Sequence, residues 1–531
     1  MFKKIICMLT VLTLCTTSIF ITTSYGLDLW SEYKLGVSNL NKNKCQQAIN
    51  SFKKVEKSFL SSKNNTNIAI LYKNLGLSNA KLGNYDLAQK YWMKEAEYWK
   101  KVGYEQDAIA AERKANMIRN EIRLFTLVDA SEAGSKLYHG VKYEPVVGAM
   151  LGAYAADDLS VENPAQNKFH TIEYPIMTEK AHAGYLYYFS YGDSLDRLKK
   201  YAQKLKQVGG IMQIGVEPLG GIDKVNDDEY LEYFVSEIKN LDIPVFVRFA
   251  NEMNDPTSKW YFKDPNVYIE KYRLVADKVH AGAPNAVMVW APLYFPPHNI
   301  TRYYPGDNYV DWVGVSLYRQ YHPELDPLGK NVDRARFIDQ FNTIYKLYAD
   351  KKPVFVSEGG VSYQNSVNGN DITSFAAKEL SDYYTYMPIL YPKLKAIFYF
   401  DENVKSKYTR YMLSTNSSLL ETYKKGIKDT FYLGKVGENA ASYYEELPQY
   451  TVKPCINPIY SYVKSADPDV CRVAYKINGQ FAAASNSAPF EADIDFEPYQ
   501  GGKVNIIVEA YNSNSKLIAK KIFEVKVSAK Q

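Results

Sequence analysis

Two short segments place a glutamate where it could do acid/base or nucleophilic work. One is Arg248-Phe249-Ala250-Asn251-Glu252-Met253-Asn254, the other Ser357-Glu358-Gly359-Gly360. Each ends an apolar run of strand length, Ile243–Phe249 and Pro353–Val356. Residues at the C-terminal ends of barrel strands line the active face of such a fold. Glu252 and Glu358 would then face each other across the barrel mouth. Cleaving a glycosidic bond with retention needs a pair of this kind, with carboxyl groups about 5–5.5 Å apart. One stays protonated to help the leaving oxygen depart. The other stays ionised to attack the anomeric carbon, and their surroundings keep the two pKa values apart.

Plainer readings stand beside these. Arg248 and Glu252 could form a structural ion pair, and Trp290 has the composition of a core residue. Glu217 could support other side chains without meeting a ligand. His182, near the start of the second strand-like run, reads as structural. Asp157 and Asp158 follow the first run and either line the cleft or sit on an exposed loop.

The acids need a scaffold, and residues 146 to about 433 supply a pattern for one. Eight strand-like runs recur: Val146–Tyr154, Gly184–Ser190, Ile211–Val216, Ile243–Phe249, Ala286–Trp290, Trp312–Leu317, Pro353–Val356 and Ala396–Phe400. Amphipathic helical patterns separate most of them: Asp193–Gln207, Asp228–Asn240, Asn266–Ala281, Ala335–Tyr348 and Ser374–Leu390, with Ser417–Tyr432 after the eighth. That alternation predicts a (β/α)8 TIM barrel. A doubly wound open sheet is the structural alternative, but no Gly-rich phosphate loop follows the first run.

Five motifs, in order, resemble clan A glycoside hydrolases and, within that clan, family 26, the β-mannanase family. Val216-Glu217-Pro218 resembles the family's Trp-Glu-Pro, and Arg248-x-x-Asn251-Glu252-Met253-Asn254 its Arg-x-x-His-Glu-Met-Asn. Val289-Trp290-Ala291-Pro292 resembles the fifth strand. Val310–Val315 with Tyr318 resembles the sixth, and Pro353–Glu358 the nucleophile strand. The resemblance covers about 146 to 433. It implies Glu252 as general acid/base and Glu358 as nucleophile. It implies that Asn251 bonds the substrate 2-hydroxyl or aligns Glu358, and that Tyr318 donates to Glu358. Arg248 would add positive charge near the pair, Trp290 and Tyr399 would stack on sugar rings, and Glu217 would bind a hydroxyl. The family carries His at the position of Asn251, whereas most of the clan carries Asn. No metal or other cofactor is implied.

The flanks read differently. Lys3 and Lys4, an apolar stretch from Ile5 to Ile21 and Ser24-Tyr25-Gly26 predict an export signal over 1–26, so the mature chain is expected outside the cytoplasm, with no membrane span. Residues 27–126 lack Pro before Leu124 and show helical spacing throughout, with a last helical pattern from Glu105 to about Arg123. Two stretches are alike: Tyr33-Lys34-Leu35-Gly36 then Ala48 and Phe52, and Lys73-Asn74-Leu75-Gly76 then Ala88 and Trp92. They resemble tetratricopeptide (TPR) repeats, which would bind a protein partner; a helical cap is the plainer reading. The barrel is assigned 127–433 and a linker 434–450. In 451–531 the period changes to two, with an Asn478-Gly479 hairpin turn, predicting a small immunoglobulin-like β-sandwich. The expected fold is therefore multidomain: helical repeat, TIM barrel and sandwich.

Composition narrows the classes. The chain is 46% apolar and 23% charged, with a net charge of +5 that is too diffuse for nucleic-acid binding. Its 47 Tyr are spread over the whole length and point to no site. Cys45, Cys455 and Cys471 remain after the leader, too few and too scattered for a zinc cluster. Cys455 and Cys471 could be bridged or free. Two functions compete. One is an O-glycosyl hydrolase, endo-acting on a β-linked polysaccharide such as mannan, β-glucan or an exopolysaccharide. The other is a non-catalytic extracellular polysaccharide-binding or scaffolding protein with a degenerate barrel.

Overall fold

The computed structural model describes residues 25–321, 336–404, 408–467 and 470–530. The chain divides into two compact units, one ending at Ile118 and one beginning at Arg119. The expected leader lies outside the described residues up to position 24.

The first unit is five helices: α1 (Tyr25–Asn41), α2 (Cys45–Ser61), α3 (Asn65–Lys81), α4 (Tyr85–Lys101) and α5 (Glu105–Met117). Each begins 20 residues after the last. Every turn carries a left-handed residue at the same place, Asn43 (φ 57°), Lys63 (φ 56°), Gly83 (φ 78°) and Gly103 (φ 78°). The paired motifs explain the packing. A Cβ on Gly36 would come within 2.6 Å of the Phe52 ring, and one on Gly76 within 2.4 Å of the Trp92 indole. Ala48 and Ala88 are fully buried beside them. Small residues on one helix thus seat an aromatic of the next. The last helix stops at Met117 rather than near Arg123.

The second unit holds the barrel and the sandwich. The barrel strands are β2 (Ala149–Tyr154), β3 (Gly184–Ser190), β4 (Ile211–Glu217), β5 (Val245–Phe249), β6 (Ala286–Trp290), β7 (Trp312–Val313) with β8 (Ser316–Arg319), β9 (Val354–Val361) and β10 (Leu394–Phe400). β7 and β8 share the sixth position, so eight positions run in parallel. β10 pairs with both β9 and β2, which closes the ring. The short β11 (Tyr432–Leu433) adds to β2. Helices α6 (His170–Thr178), α7 (Asp196–Val208), α8 (Glu229–Asn240), α9 (Pro265–Gly282), α11 (Phe337–Tyr348), α12 (Thr373–Leu390) and α13 (Ser417–Ile427) occur between or after the strands, with one short turn, α10 (Pro297–Ile300). Three of them, α8, α9 and α13, start on a side-chain cap. Asp228 accepts from the Leu231 amide, Asp264 from Asn266 ahead of Pro265, and Asn416 from Leu419. No helix among the described residues is long and apolar enough to cross a membrane.

The sandwich corrects the expected boundaries. Its two antiparallel sheets run β12-β1-β13-β16 and β15-β14-β17-β18. β1 is Glu121–Asp129 and β12 is Ser442–Leu447; the rest are β13 (Ile456–Lys464), β14 (Val470–Ile477), β15 (Gln480–Ser485), β16 (Ala492–Asp495), β17 (Lys503–Asn512) and β18 (Leu517–Lys526). Thus 121–126 is not helical, and 434–450 is not merely a linker. Leu124 pairs with both Leu447 and Ser461. The reason is alternation: Ile122 and Leu124 point into the sandwich core with Val463, Tyr475 and Val508. Arg123 clamps Glu446 with two hydrogen bonds of 2.8 and 2.7 Å. The sandwich therefore takes strands from both sides of the barrel sequence. Cys45, Cys455 and Cys471 are free thiols.

Candidate active site

The barrel strands converge on a cavity of about 580 Å³. Its wall includes Glu252 and Glu358, with Glu217, Asn251 and Tyr318. Glycines make the supports fit. A Cβ on Gly215 would stand 3.0 Å from the Arg248 guanidinium and 3.1 Å from the Tyr188 ring. One on Gly359 would lie 2.3 Å from the Leu317 carbonyl, so no side chain fits where β8 and β9 approach beside Glu358.

Glu358 sits on β9 opposite Ser316, surrounded by donors. Tyr318 donates to Oε1 at 2.7 Å, Tyr188 donates to Oε2 at 2.6 Å, and the fully buried Arg248 pairs with Oε2. All three contacts are donors, so the carboxylate acts as acceptor on both oxygens. Burial pushes the Tyr188 and Tyr318 phenols far above their usual range, which keeps both hydroxyls protonated and donating. Gln213, on the barrel floor, donates to the Ser357 carbonyl at 2.9 Å and fixes the strand beneath.

Glu252 is held otherwise. It lies in the turn after β5, with φ of 56°, and Ala250 has φ of 46°. Left-handed backbone at such residues is strained and needs support from its neighbours. The Glu252 amide donates to the Ala291 carbonyl at 2.8 Å. Ser258 donates to the Glu252 carbonyl at 3.1 Å, and the Trp260 indole to that of Asn251 at 2.7 Å. Asn254 exchanges two hydrogen bonds with the Leu293 backbone, at 3.0 and 2.8 Å. The Glu252 carboxyl is pushed up to about 7, first by burial and then by the charge on Glu358; the Ser316 hydroxyl and Arg248 pull it down less. One acid is thus inclined to keep a proton while its neighbour receives only donors. Glu217 is also raised, by burial first.

Arg248 pairs with Glu358, and among the described residues it forms no ion pair with Glu252. Three expected binding residues do not line the cavity: the buried Arg248, Trp290 and Tyr399. Trp290 is fully buried, packed edge-on against Tyr304 and Tyr348 at 5.0 and 5.3 Å. Tyr399 is buried too; its hydroxyl donates to the Tyr411 carbonyl at 2.6 Å and its ring meets Tyr423 of α13. The cause is the two-residue period of strands: Tyr399 faces the helices, and its neighbour Phe400 faces the cavity. The aromatic wall is Tyr188, Trp260, Tyr294, Tyr318 and Phe400. Tyr188 was legible as an alternate position on the second run, but Trp260 and Tyr294 lie on loops that no periodicity marks. Asp255, Ser258, Leu293 and Gln320 complete the lining. Asp157 and Asp158 are not part of it. Asp157 accepts from Tyr154, and Asp158 is buried and accepts from the Ser160 amide. His182 is structural: it is buried, it contacts the Lys180 carbonyl and the Tyr423 hydroxyl, and burial depresses it to about 3. Among the described residues no group of three or more His, Cys, Asp or Glu could hold a metal ion.

The structure is thus a closed parallel barrel with two differently held acids lining its cavity. Residues 222–383, which contain both acids, match the model of glycosyl hydrolase family 26. Over 153 residues the chain is 26% identical to a β-1,3-xylanase of an Alcaligenes species, spanning 27% of this chain and 29% of the relative. It is equally similar to the β-1,3-xylanase TXYA of a Vibrio species, over 27% and 30%. The alignment therefore spans under a third of these relatives' length. Among solved structures, a Cellulomonas fimi endo-β-1,4-mannanase double mutant superimposes with a TM-score of 0.41 at 16% identity, covering 71% of this chain and 94% of that one. A family 26 β-mannanase from Bacteroides ovatus gives 0.42 at 14%, covering 55% and 92%.

Proposed function

We propose that the barrel is a retaining O-glycosyl hydrolase that cleaves a β-linked polysaccharide by double displacement. Glu358 attacks the anomeric carbon while Glu252 gives its proton to the leaving oxygen. A covalent glycosyl ester on Glu358 results. Glu252, now ionised, takes a proton from water, and that water releases the sugar with its starting configuration. Glu252 is placed for both halves: a pKa near neutrality lets one carboxyl act as acid and then as base. Tyr318, Tyr188 and Arg248 hold Glu358 in one orientation, and Asn251 is the residue beside Glu252 available to a 2-hydroxyl. Endo cleavage of a mannan, a β-glucan or the producing cell's own exopolysaccharide, outside the cytoplasm, is the fuller reading. The family match over 222–383 supports glycoside cleavage, and the predicted leader agrees with a place outside the cytoplasm. The helical unit would then meet a protein partner.

The observation that carries the reading is the contrast between the two acids: three donors on Glu358, burial and a neighbouring charge on Glu252. The test is incubation of the full chain with 2-deoxy-2-fluoro glycosyl fluorides of the gluco, manno and xylo series. One of them is expected to leave a single glycosyl adduct on the peptide containing Glu358, absent from Glu358→Ala. An adduct elsewhere, or polymer cleavage by wild type and Glu358→Ala alike in a reducing-end assay, would overturn it.

A further inference from the structure

The cavity wall is rich in acceptors and poor in cations. Glu217, Glu252, Asp255 and Glu358 line it, and among the described residues no Lys, Arg or His does. Arg248 lies beneath the wall, fully buried and already paired with Glu358. Both Asp255 oxygens are occupied by Thr257, its amide and its hydroxyl each donating at 2.9 Å. Glu217 differs. It closes β4, half-buried at the cavity wall, and among the described residues no group donates a hydrogen bond to its carboxylate. Lys259 is near enough to act on its charge but is exposed and forms no ion pair with it among the described residues. Asn251 adds an independent sign of a missing ligand. Its side chain is only 4% exposed and lines the same cavity, yet its Oδ1 has no partner. Buried acceptors are normally bonded, so whatever fills this space brings donors.

Charge narrows the donor. A uronic-acid or sulfated polymer would set an anion against Glu217, Asp255 and Glu358, beside the Glu252 carboxyl. A neutral sugar offers hydroxyls to Asn251 and to Glu217 but brings no positive charge to meet the carboxylate. We propose that the cleft takes a polysaccharide containing a hexosamine with a free amino group, as in a partly de-N-acetylated polymer, and that the ammonium docks on Glu217. This rests on the cleft being the sugar site assigned above, and it names the substrate class of that site.

The test is direct binding, by calorimetry, to the full-length Glu358→Gln protein at mildly acidic pH and low salt. The probes are the glucosamine tetrasaccharide, the N-acetylglucosamine tetrasaccharide and mannotetraose. The amino tetrasaccharide is expected to bind about tenfold more tightly than either of the others, the factor a charge-assisted hydrogen bond supplies. Adding Glu217→Gln should collapse that preference to about twofold or less, and raising the salt should shrink it. Near-UV circular dichroism confirms that the double variant is folded. Equal binding of the three probes, no binding of the amino tetrasaccharide, or a preference that survives Glu217→Gln would each overturn the proposal. The outcome is separable from the hydrolase assignment. An adduct on Glu358 without amino preference removes only this inference, and amino preference without an adduct removes only the chemistry.

Discussion

Removing the charge of Glu358 should make Glu252 a stronger acid, and the amount can be worked out. Burial is the first cause of the raised Glu252 value and the Glu358 charge the second. At the roughly 5.5 Å spacing that a retaining pair requires, and an effective dielectric of about 20, two unit charges interact by about 3 kcal/mol. That is about two decades in an acid dissociation constant. In Glu358→Ala the Arg248 charge remains and goes on favouring the ionised Glu252, as it already does in the wild type. Glu252 should then titrate about two decades below its value of about 7, still at or above an ordinary glutamate because it stays half-buried. Azide can rescue such a nucleophile-deleted enzyme by attacking the anomeric carbon from the vacated side, and departure of a sugar leaving group still needs the Glu252 proton. The assay is the pH dependence of kcat/KM for the wild type on a cleaved oligosaccharide, beside that of azide-rescued Glu358→Ala. The wild type should lose activity as pH rises through about 7, and the rescued variant should lose it well below that. A basic limb that does not move would refute the idea that the two acids set each other's protonation.

Other expectations follow from particular contacts. Asp401 is fully buried, accepts from the Leu413 amide at 2.6 Å, and is raised well above a normal aspartate by burial. The folded state therefore holds its proton at pH values where the unfolded chain has released it. Stability should fall as pH rises above about 4, the unfolded value. Asp401→Asn keeps the acceptor and removes the titration, so its melting temperature should exceed the wild type's by more at pH 8 than at pH 4; an equal difference would contradict this. Gly76→Ala sets two effects in opposition. Helix propensity favours Ala by about 1 kcal/mol, but the new Cβ would meet Trp92 at 2.4 Å and overpacking costs about 1–3 kcal/mol. Net destabilisation in urea unfolding is expected, and a stabilised variant would show that Trp92 moves freely. Trp290→Ala should cost about 3–5 kcal/mol of stability with little change in KM, while Trp260→Ala should raise KM. The reverse pattern in paired unfolding and kinetic assays would return Trp290 to the sugar platform.

The barrel was legible because a strand buried on both faces leaves an unbroken apolar run, and eight such runs stand at workable spacing. Gly184–Ser190 and Ala286–Trp290 match the strands residue for residue. The acids were legible because strand ends are where a barrel does chemistry. What escaped notice depends on distant partners. Glu121–Asp129 alternates like a strand, but its partners, Ser442–Leu447 and Ile456–Lys464, lie over 300 residues away. α6 is short and carries Pro175, so its period is weak. Trp290 and Tyr399 were misplaced because a strand's last aromatic can face either layer, and only the facing helix, through Tyr348 or Tyr423, decides which. Tyr188 donates to Glu358 from 170 residues away, a contact no local pattern contains.

The most direct test of the central claim is the configuration of the first sugar released. Proton NMR of a fresh digest, read before mutarotation, distinguishes the two anomers. A β-linked substrate should yield the β-anomer first, as two successive displacements at one carbon require. Initial release of the α-anomer would mean that water attacks directly, and Glu358 could then not be the nucleophile.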